Sequence, residues 1–223
     1  RILGKPYTIS EWNYCAPGKF RSAGSLLMGA YAALQDYSAA WRFTWSHGFS
    51  RNDERCRLGY FDVSTDPMQL ASERMAFALF LRGDLPPLKE SVGLEIARKY
   101  VTTPETTLPL PRIDGSGWLG WHYRIGSYVS GGERMDVPGK TVGYPLWAQK
   151  PVSDWMMSGT VPPAGDGAIA VDQGRGAFRV ATSRSEAVFA RSVTMTADRM
   201  TVTVDDVPST LSVISLDGKP FAE

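Results

Sequence analysis

The chain has 223 residues, of which 43% are hydrophobic and 21% are charged, a balance typical of a globular protein rather than a disordered one. Its net charge of +1 gives no basic surface for a nucleic-acid partner, and no apolar run approaches the ~18 residues of a membrane span. The two cysteines, Cys15 and Cys56, are too few for a disulfide scaffold, and their pairing is left open.

The first predicted strand ends in an acidic residue. Tyr7 and Ile9 are β-formers on one alternate face, and Pro6 suits a strand start, where a missing N–H costs little. Ala16-Pro17-Gly18 then stops the strand. Glu11 lies at its carboxyl end, and glutamate is rarely buried unless it is paired or functional. The bland alternative is a surface carboxylate or an ion-paired core glutamate.

A helix and a second strand are predicted next. Ser22 is a suitable N-cap for an amphipathic helix that runs to about Gln35. The stretch Ala39–Gly48 alternates aromatic with polar residues and therefore predicts a strand.

The following helix has the clearest local signature of the chain. Asp66 is the predicted N-cap, Pro67 occupies the first helical position, Gln69 can close a capping box, and Gly83 is a natural stop. The order strand–helix–strand–helix over residues 7–83 predicts two parallel strands joined by a right-handed crossover.

Two parallel strands do not form a stable sheet by themselves, since parallel sheets are covered on both faces and contain more strands. We therefore expect the missing strands to come from sequence before Arg1 or from another chain. Prolines interrupt residues 86–165, for which the sequence predicts a loop-rich connector.

From residue 166 onward the pattern is all-β. Short apolar runs alternate with turn signals at a spacing of about ten residues, which is typical of an antiparallel sandwich. The predicted strands are Ala168–Asp172, Ala177–Thr182, Glu186–Ala190, Val193–Thr196, Met200–Val204 and Thr210–Ser215.

Candidate functional side chains follow both N-terminal strands. Glu11 ends the first strand, and Trp45, Ser46 and His47 end the second. Neighbouring parallel strands present their carboxyl ends on the same side of a sheet, which is where (β/α)8 barrels carry their chemistry.

These features, in this order, resemble a known class of enzyme. The segment Lys5–Asn13, a helix, and then Phe43–His47 resemble the last quarter of a retaining (β/α)8-barrel glycoside hydrolase whose seventh strand ends in the nucleophilic glutamate. The runs Phe61–Pro67 and Leu216–Pro220 resemble large bacterial members of that clan, which carry a β-sandwich after the barrel.

The resemblance implies an α/β plus all-β fold. Residues 1–85 would form the last βαβα units of a (β/α)8 barrel, strands seven and eight. Residues 86–165 would be the connector, and residues 166–223 an incomplete C-terminal antiparallel β-sandwich.

The resemblance also implies a glycosidase that hydrolyses an oligo- or polysaccharide by double displacement, with Glu11 as the nucleophile. Trp45 would form the floor of the sugar site, and Trp12 and Asn13 would border the cleft. His47 would hydrogen-bond a sugar hydroxyl or Glu11. Trp12 and Trp45 are also compatible with core packing, and His47 with a purely structural hydrogen bond.

In that clan the general acid/base lies at the end of the fourth barrel strand, so this chain would supply the nucleophile without its proton donor. Asp53, Glu54 and Asp62 are not assigned that role. The alternative function is a carbohydrate-binding or structural β-rich module without catalysis.

No cofactor is expected, and no metal site either, because His47 and His122 have no cluster of ligands around them in the sequence. The compartment is unknown from the residues themselves, and the resemblance implies secretion or the periplasm.

Overall fold

The structure is a computed structural model that describes residues 1–48, 58–96, 98–102, 116–131, 139–143, 163–172 and 174–222. It is a mixed α/β protein, and among these residues no helix combines the length and apolar character that crossing a bilayer would need. The chain divides into two compact units. The first unit comprises Arg1–Tyr7, Leu34–Ser38 and Pro87–Asp166, and the second comprises Thr8–Ala33, Ala39–Pro86 and Gly167–Glu223.

In the second unit, the two N-terminal strands pair as the sequence predicts. Strand β1 (Thr8–Trp12) and strand β2 (Ala39–Arg42) are parallel, with an irregularity in the register between Ile9 and Trp12. Helix α1 (Gly24–Leu34) connects them after a 3-10 turn at Arg21–Ala23. The parallel pairing and the connecting helix are therefore confirmed, although α1 begins two residues after the predicted N-cap and β2 ends at Arg42, well before the predicted end at Gly48.

Helix α2 (Pro67–Ala76) begins at the predicted cap. The Asp66 carboxylate accepts hydrogen bonds from the backbone N–H groups of Met68, at 3.1 Å, and Gln69, at 3.4 Å. The Gln69 side chain donates to the Asp66 carboxylate at 3.1 Å instead of to the cap's backbone. The helix continues as a π-helical segment, Phe77–Leu81.

Both helices lie on one face of the β1–β2 pair. A Cβ on Gly29 would lie 2.6 Å from Ala76 Cα, so glycine permits the close approach of α1 and α2. Ala40 and Arg42 border a cavity shared with these helices, so Trp41 between them points to the other side. Trp41 is 56% exposed, which leaves this other face open to solvent in the described part of the chain.

The C-terminal part of the second unit is an antiparallel sheet with a hairpin against it. The sheet has the order β11-β8-β7-β6, and the β9–β10 hairpin shares an apolar core with it. All six predicted strands are confirmed to within two residues. Their bounds are Ile169–Asp172 for β6, Ala177–Ala181 for β7, Ser185–Ala190 for β8, Val193–Thr196 for β9, Thr201–Val204 for β10 and Ser209–Ile214 for β11.

One buried carboxylate ties this sheet to the segment that follows α2. Asp84 has a fully buried side chain and lies 2.5 Å from Arg82 Nη2 and 3.0 Å from Arg184 Nη2. The Ser185 hydroxyl donates a short hydrogen bond to the same carboxylate. Arg82 also donates to the Ser215 carbonyl at 2.6 Å, so the cluster connects the end of the helical segment with β8 and with the residue after β11.

The protein is expected to lose stability as the pH falls below about 4. Burial alone would raise the pKa values of Asp66 and Asp84, but hydrogen bonds from Arg21 and Gln69 to Asp66, and from Arg82 and Ser185 to Asp84, hold both pKa values below their usual range. A depressed folded-state pKa stabilises the fold above the unfolded-state pKa and ceases to do so as pH falls through the folded-state value. Urea unfolding between pH 6 and pH 3 measures this. A free energy of unfolding that stays constant over that range would contradict it.

The first unit holds a second parallel sheet, where the sequence predicts a loop-rich connector. Strands β3 (Ser91–Ile96), β4 (Arg124–Val129) and β5 (Gly139–Gly143) are parallel in the order β4-β3-β5. Ile2 forms a parallel bridge to Ser127. The described residues of 86–165 thus contain regular structure, and they associate with the first seven residues of the chain.

A buried glutamine supports this sheet at the entry to β4. The Gln35 amide donates to the carbonyls of Gly120 and Tyr123, both at 2.7 Å, and its oxygen accepts from the Ile125 N–H at 2.9 Å. All three hydrogen bonds satisfy backbone groups just after a short helix, Ser116–Leu119, and at the start of β4.

Candidate functional site

Glu11 lies at the carboxyl end of β1 and is exposed, whereas the sequence argument started from a glutamate at the end of a buried strand. It borders a cavity of about 220 Å³, whose other lining residues are Trp12, Asn13, Cys15, Phe43 and Phe61. This lining contributes no second carboxylate from the described residues. Asp53, Glu54 and Cys56 lie outside the described residues.

Asn13 braces the chain around this cavity. Its amide nitrogen donates to the carbonyl of Phe43 at 2.6 Å and to the carbonyl of Phe61 at 2.9 Å. It therefore joins the end of β1 to the segment after β2 and to the segment before α2. Its donors are used by the backbone, so its direct role is to hold the site together.

Replacing Asn13 by alanine is expected to lower the free energy of unfolding by about 2 kcal/mol, because two partly buried carbonyls lose their donor. Urea unfolding monitored by tryptophan fluorescence measures this. Unchanged stability together with weakened ligand binding would instead place Asn13 in contact with the ligand.

Trp12 belongs to the packing between strands and helices. The Arg42 guanidinium carbon lies 4.3 Å from the centre of a Trp12 ring, within the range of a cation–π contact. Trp12 also borders the cavity of about 240 Å³ between the strand pair and α1, α2 and the π-helical segment. Arg42 in turn donates to Gln69 and lies 3.4 Å from Glu73.

Trp45 is available to a ligand. Its side chain is among the exposed aromatics, at 60%. Its backbone is fixed, because the Trp45 carbonyl accepts from the Ser64 N–H at 3.0 Å and Thr44 exchanges hydrogen bonds with Phe61 and Val63 at 3.1 Å. An exposed indole on a fixed backbone suits stacking against the apolar face of a ring-shaped ligand.

His47 is held by a buried acid. Its Nδ1 lies 2.5 Å from Asp62 Oδ1, and its backbone N–H donates to the same oxygen at 3.0 Å. The Asp62 side chain is only 3% exposed, whereas that of His47 is 45% exposed. The imidazole packs against Phe43 and Phe61, with ring centres 5.4 and 6.0 Å away.

Glu11 and His47 are both associated with the rings of Phe43 and Phe61. Glu11 borders the cavity that Phe43 and Phe61 line, and His47 contacts the same two rings. Trp45 lies in the segment between Phe43 and His47. The arrangement combines an exposed carboxylate, an exposed indole and an oriented imidazole at the carboxyl ends of two parallel strands.

Two residues that organise this site were not predicted from the sequence. Asp62 is the partner of His47, and Arg42 links Trp12 to α2. The signal for Asp62 was a lone acid between aromatic residues and small polar ones, just before a helix cap. Nothing local in the sequence ties it to a histidine fifteen residues earlier.

Comparison of the chain with protein-family models, with curated proteins and with solved structures finds no match. Within the described ranges, no group of three or more His, Cys, Asp and Glu side chains is arranged to hold a metal ion. Function is therefore inferred from the geometry around Glu11.

Proposed function

We propose that this chain supplies the nucleophile of a retaining glycoside hydrolase that acts on an oligo- or polysaccharide. The observation that carries the proposal is the exposed Glu11 carboxylate at the carboxyl end of β1, beside a parallel strand that leads into Trp45 and His47. In parallel α/β architectures this edge is where ligands bind and reactions take place.

The same proposal extends to the fold of the second unit. The β1–β2 pair is the last two strands of a (β/α)8 barrel, and the antiparallel sheet with its hairpin is a β-sandwich. The exposed face of the pair supports this, because an exposed Trp41 on a two-stranded parallel sheet is what remains when neighbouring strands are supplied by other sequence. The remaining barrel strands come from the same polypeptide or from another chain.

In this mechanism a Glu11 oxygen attacks the anomeric carbon and forms a glycosyl–enzyme ester. The bond from that carbon to the leaving oxygen breaks, and a carboxylic acid ~5–5.5 Å away protonates the departing oxygen. The same group, now a carboxylate, then removes a proton from water. The water oxygen attacks the anomeric carbon and releases Glu11. The proton donor is contributed by the rest of the barrel, since Asp62 is engaged by His47 and no other carboxylate from the described residues lines the Glu11 cavity.

Trapping of the covalent intermediate tests the proposal. The sugar is first identified with a panel of 4-methylumbelliferyl glycosides and the complete protein. The matching 2-deoxy-2-fluoro glycoside with a dinitrophenyl leaving group should then inactivate the enzyme, and peptide mass spectrometry should find the added sugar on Glu11. A label on another carboxylate, or an inverted product, would overturn the assignment.

Replacing Trp45 by alanine is expected to raise KM about tenfold and to change kcat less. Stacking against the sugar stabilises the bound substrate and the transition state by similar free energies. Steady-state kinetics on the same glycoside measure this. Phe77→Ala serves as the control, since Phe77 is also exposed but lies in the π-helical segment and not in the segment after β2. An unchanged KM would remove Trp45 from the sugar site.

A further inference from the structure

The pairing of His47 with Asp62 has a geometry that fixes the imidazole tightly. The Asp62 Oδ1 atom accepts from the His47 backbone N–H at 3.0 Å and lies 2.5 Å from the ring Nδ1. On the other side, Gly59 makes room for the carboxylate, because a Cβ there would lie 2.6 Å from Asp62 Oδ2. The Asp62 side chain is only 3% exposed, and both contacts of His47 converge on one of its oxygens.

This geometry decides where the ring carries its proton. An ionised Asp62 carboxylate can only accept hydrogen bonds, so the ring Nδ1 that faces it bears a hydrogen. In the neutral imidazole the other nitrogen, Nε2, is then an acceptor. In the protonated imidazole Nε2 is a donor whose charge is balanced by the buried acid.

The rings of Phe43 and Phe61 connect this imidazole with the cavity that Glu11 borders. Both contact His47 edge-on or tilted, and both line the cavity that Glu11 borders. The His47 side chain remains 45% exposed, so part of the imidazole is accessible to a ligand that approaches Glu11.

We infer that Asp62 is a positioning residue, which holds His47 in the Nδ1–H form so that Nε2 hydrogen-bonds a hydroxyl group of the sugar bound at Glu11. The tautomer follows from the geometry alone. The identity of the ligand as a sugar rests on the proposed function. A hydroxyl suits either protonation state of His47, because it can donate to a bare Nε2 and accept from a protonated one.

Long-range ¹H–¹⁵N correlation spectra of the imidazoles test the tautomer. The chain has two histidines, so His122 provides an internal reference, and His47→Gln assigns the signals. With the imidazole neutral, the wild-type spectrum should show a protonated Nδ1 and a bare Nε2. In Asp62→Ala the ring should shift toward the Nε2–H form that predominates in water, while His122 stays unchanged.

A wild-type His47 with a protonated Nε2 and a bare Nδ1 would overturn the inference, even if Asp62→Ala failed to fold. So would an Asp62→Ala protein that folds with an unaltered tautomer.

Kinetics separate the inference from the proposed function. On an active glycoside, Asp62→Ala and His47→Ala should each raise KM about fivefold, as expected for one lost hydrogen bond. The double variant should resemble the single ones, because Asp62 acts through His47. Additive effects would contradict a positioning role. A confirmed tautomer in a protein that cleaves no glycoside would refute the proposed function and leave the pairing intact.

Discussion

Replacing Glu11 by glutamine is expected to lower kcat/KM by about 10³-fold or more in the complete protein. A carboxamide keeps the size of the side chain but cannot form the glycosyl ester, so the step that covalent catalysis makes possible is lost. Glu11 is exposed, and the substitution should leave the free energy of unfolding unchanged. Steady-state kinetics on the glycoside used for trapping, together with urea unfolding, give both readouts.

Two further variants sharpen this experiment. Glu90→Gln replaces another exposed glutamate and should leave turnover unchanged. Glu11→Ala with added azide should regain activity and yield a glycosyl azide of inverted configuration, because azide then attacks the anomeric carbon from the side that the missing carboxylate occupied. Retained turnover in Glu11→Gln would exclude Glu11 as the nucleophile.

Local sequence signals were sufficient to predict those elements whose boundaries depend on neighbouring residues. Asp66 and Pro67 predict the start of α2 because the cap satisfies orphan N–H groups within three residues. The strands after residue 166 alternate apolar and polar residues and are separated by turn residues. Both signals therefore predict the same strands.

The sheet of the first unit lacked such signals. Strands β3 and β4 contain Gly93 and Gly126, and at Gly126 a Cβ would lie 2.8 Å from Leu3 Cα. A glycine within a strand usually indicates a break in the strand. Here the glycine instead allows the close approach of the N-terminal segment, which is more than a hundred residues away in sequence. Pairing over that separation leaves no trace in a local pattern.

In the candidate site, too, the local sequence predicts some features and not others. The position of Glu11 at a strand end follows from the pattern of β1, and its parallel pairing with β2 was predicted, but β2 ends at Arg42, three residues before Trp45. The individual functions of neighbouring residues do not follow. Asn13 bonds carbonyls 30 and 48 residues away, and Trp12 stacks with Arg42, so both serve packing through contacts that the segment Glu11-Trp12-Asn13 cannot reveal.

The largest effect on stability is expected from Asp84→Ala, which should lower the free energy of unfolding by about 3 kcal/mol. The Asp84 carboxylate is fully buried and compensates Arg82 and Arg184, which approach it at 2.5 and 3.0 Å. Removing it leaves two partly buried guanidinium groups facing each other, and the Ser185 hydroxyl loses its acceptor. Urea unfolding at pH 7 measures the change.

A surface pair in the same unit provides the matched control. Asp206 lies 2.9 Å from Arg191 Nη2 with its side chain 85% exposed, so Asp206→Ala should hardly change stability, because solvent and salt screen an exposed ion pair. Asp84→Ala should also weaken the acid sensitivity of the protein, since one of the buried carboxylates with a depressed pKa is gone. If Asp84→Ala were as harmless as Asp206→Ala, burial of the carboxylate would contribute nothing to the attachment of the antiparallel sheet, and contacts such as that between Thr210 and Ser22 would have to hold it.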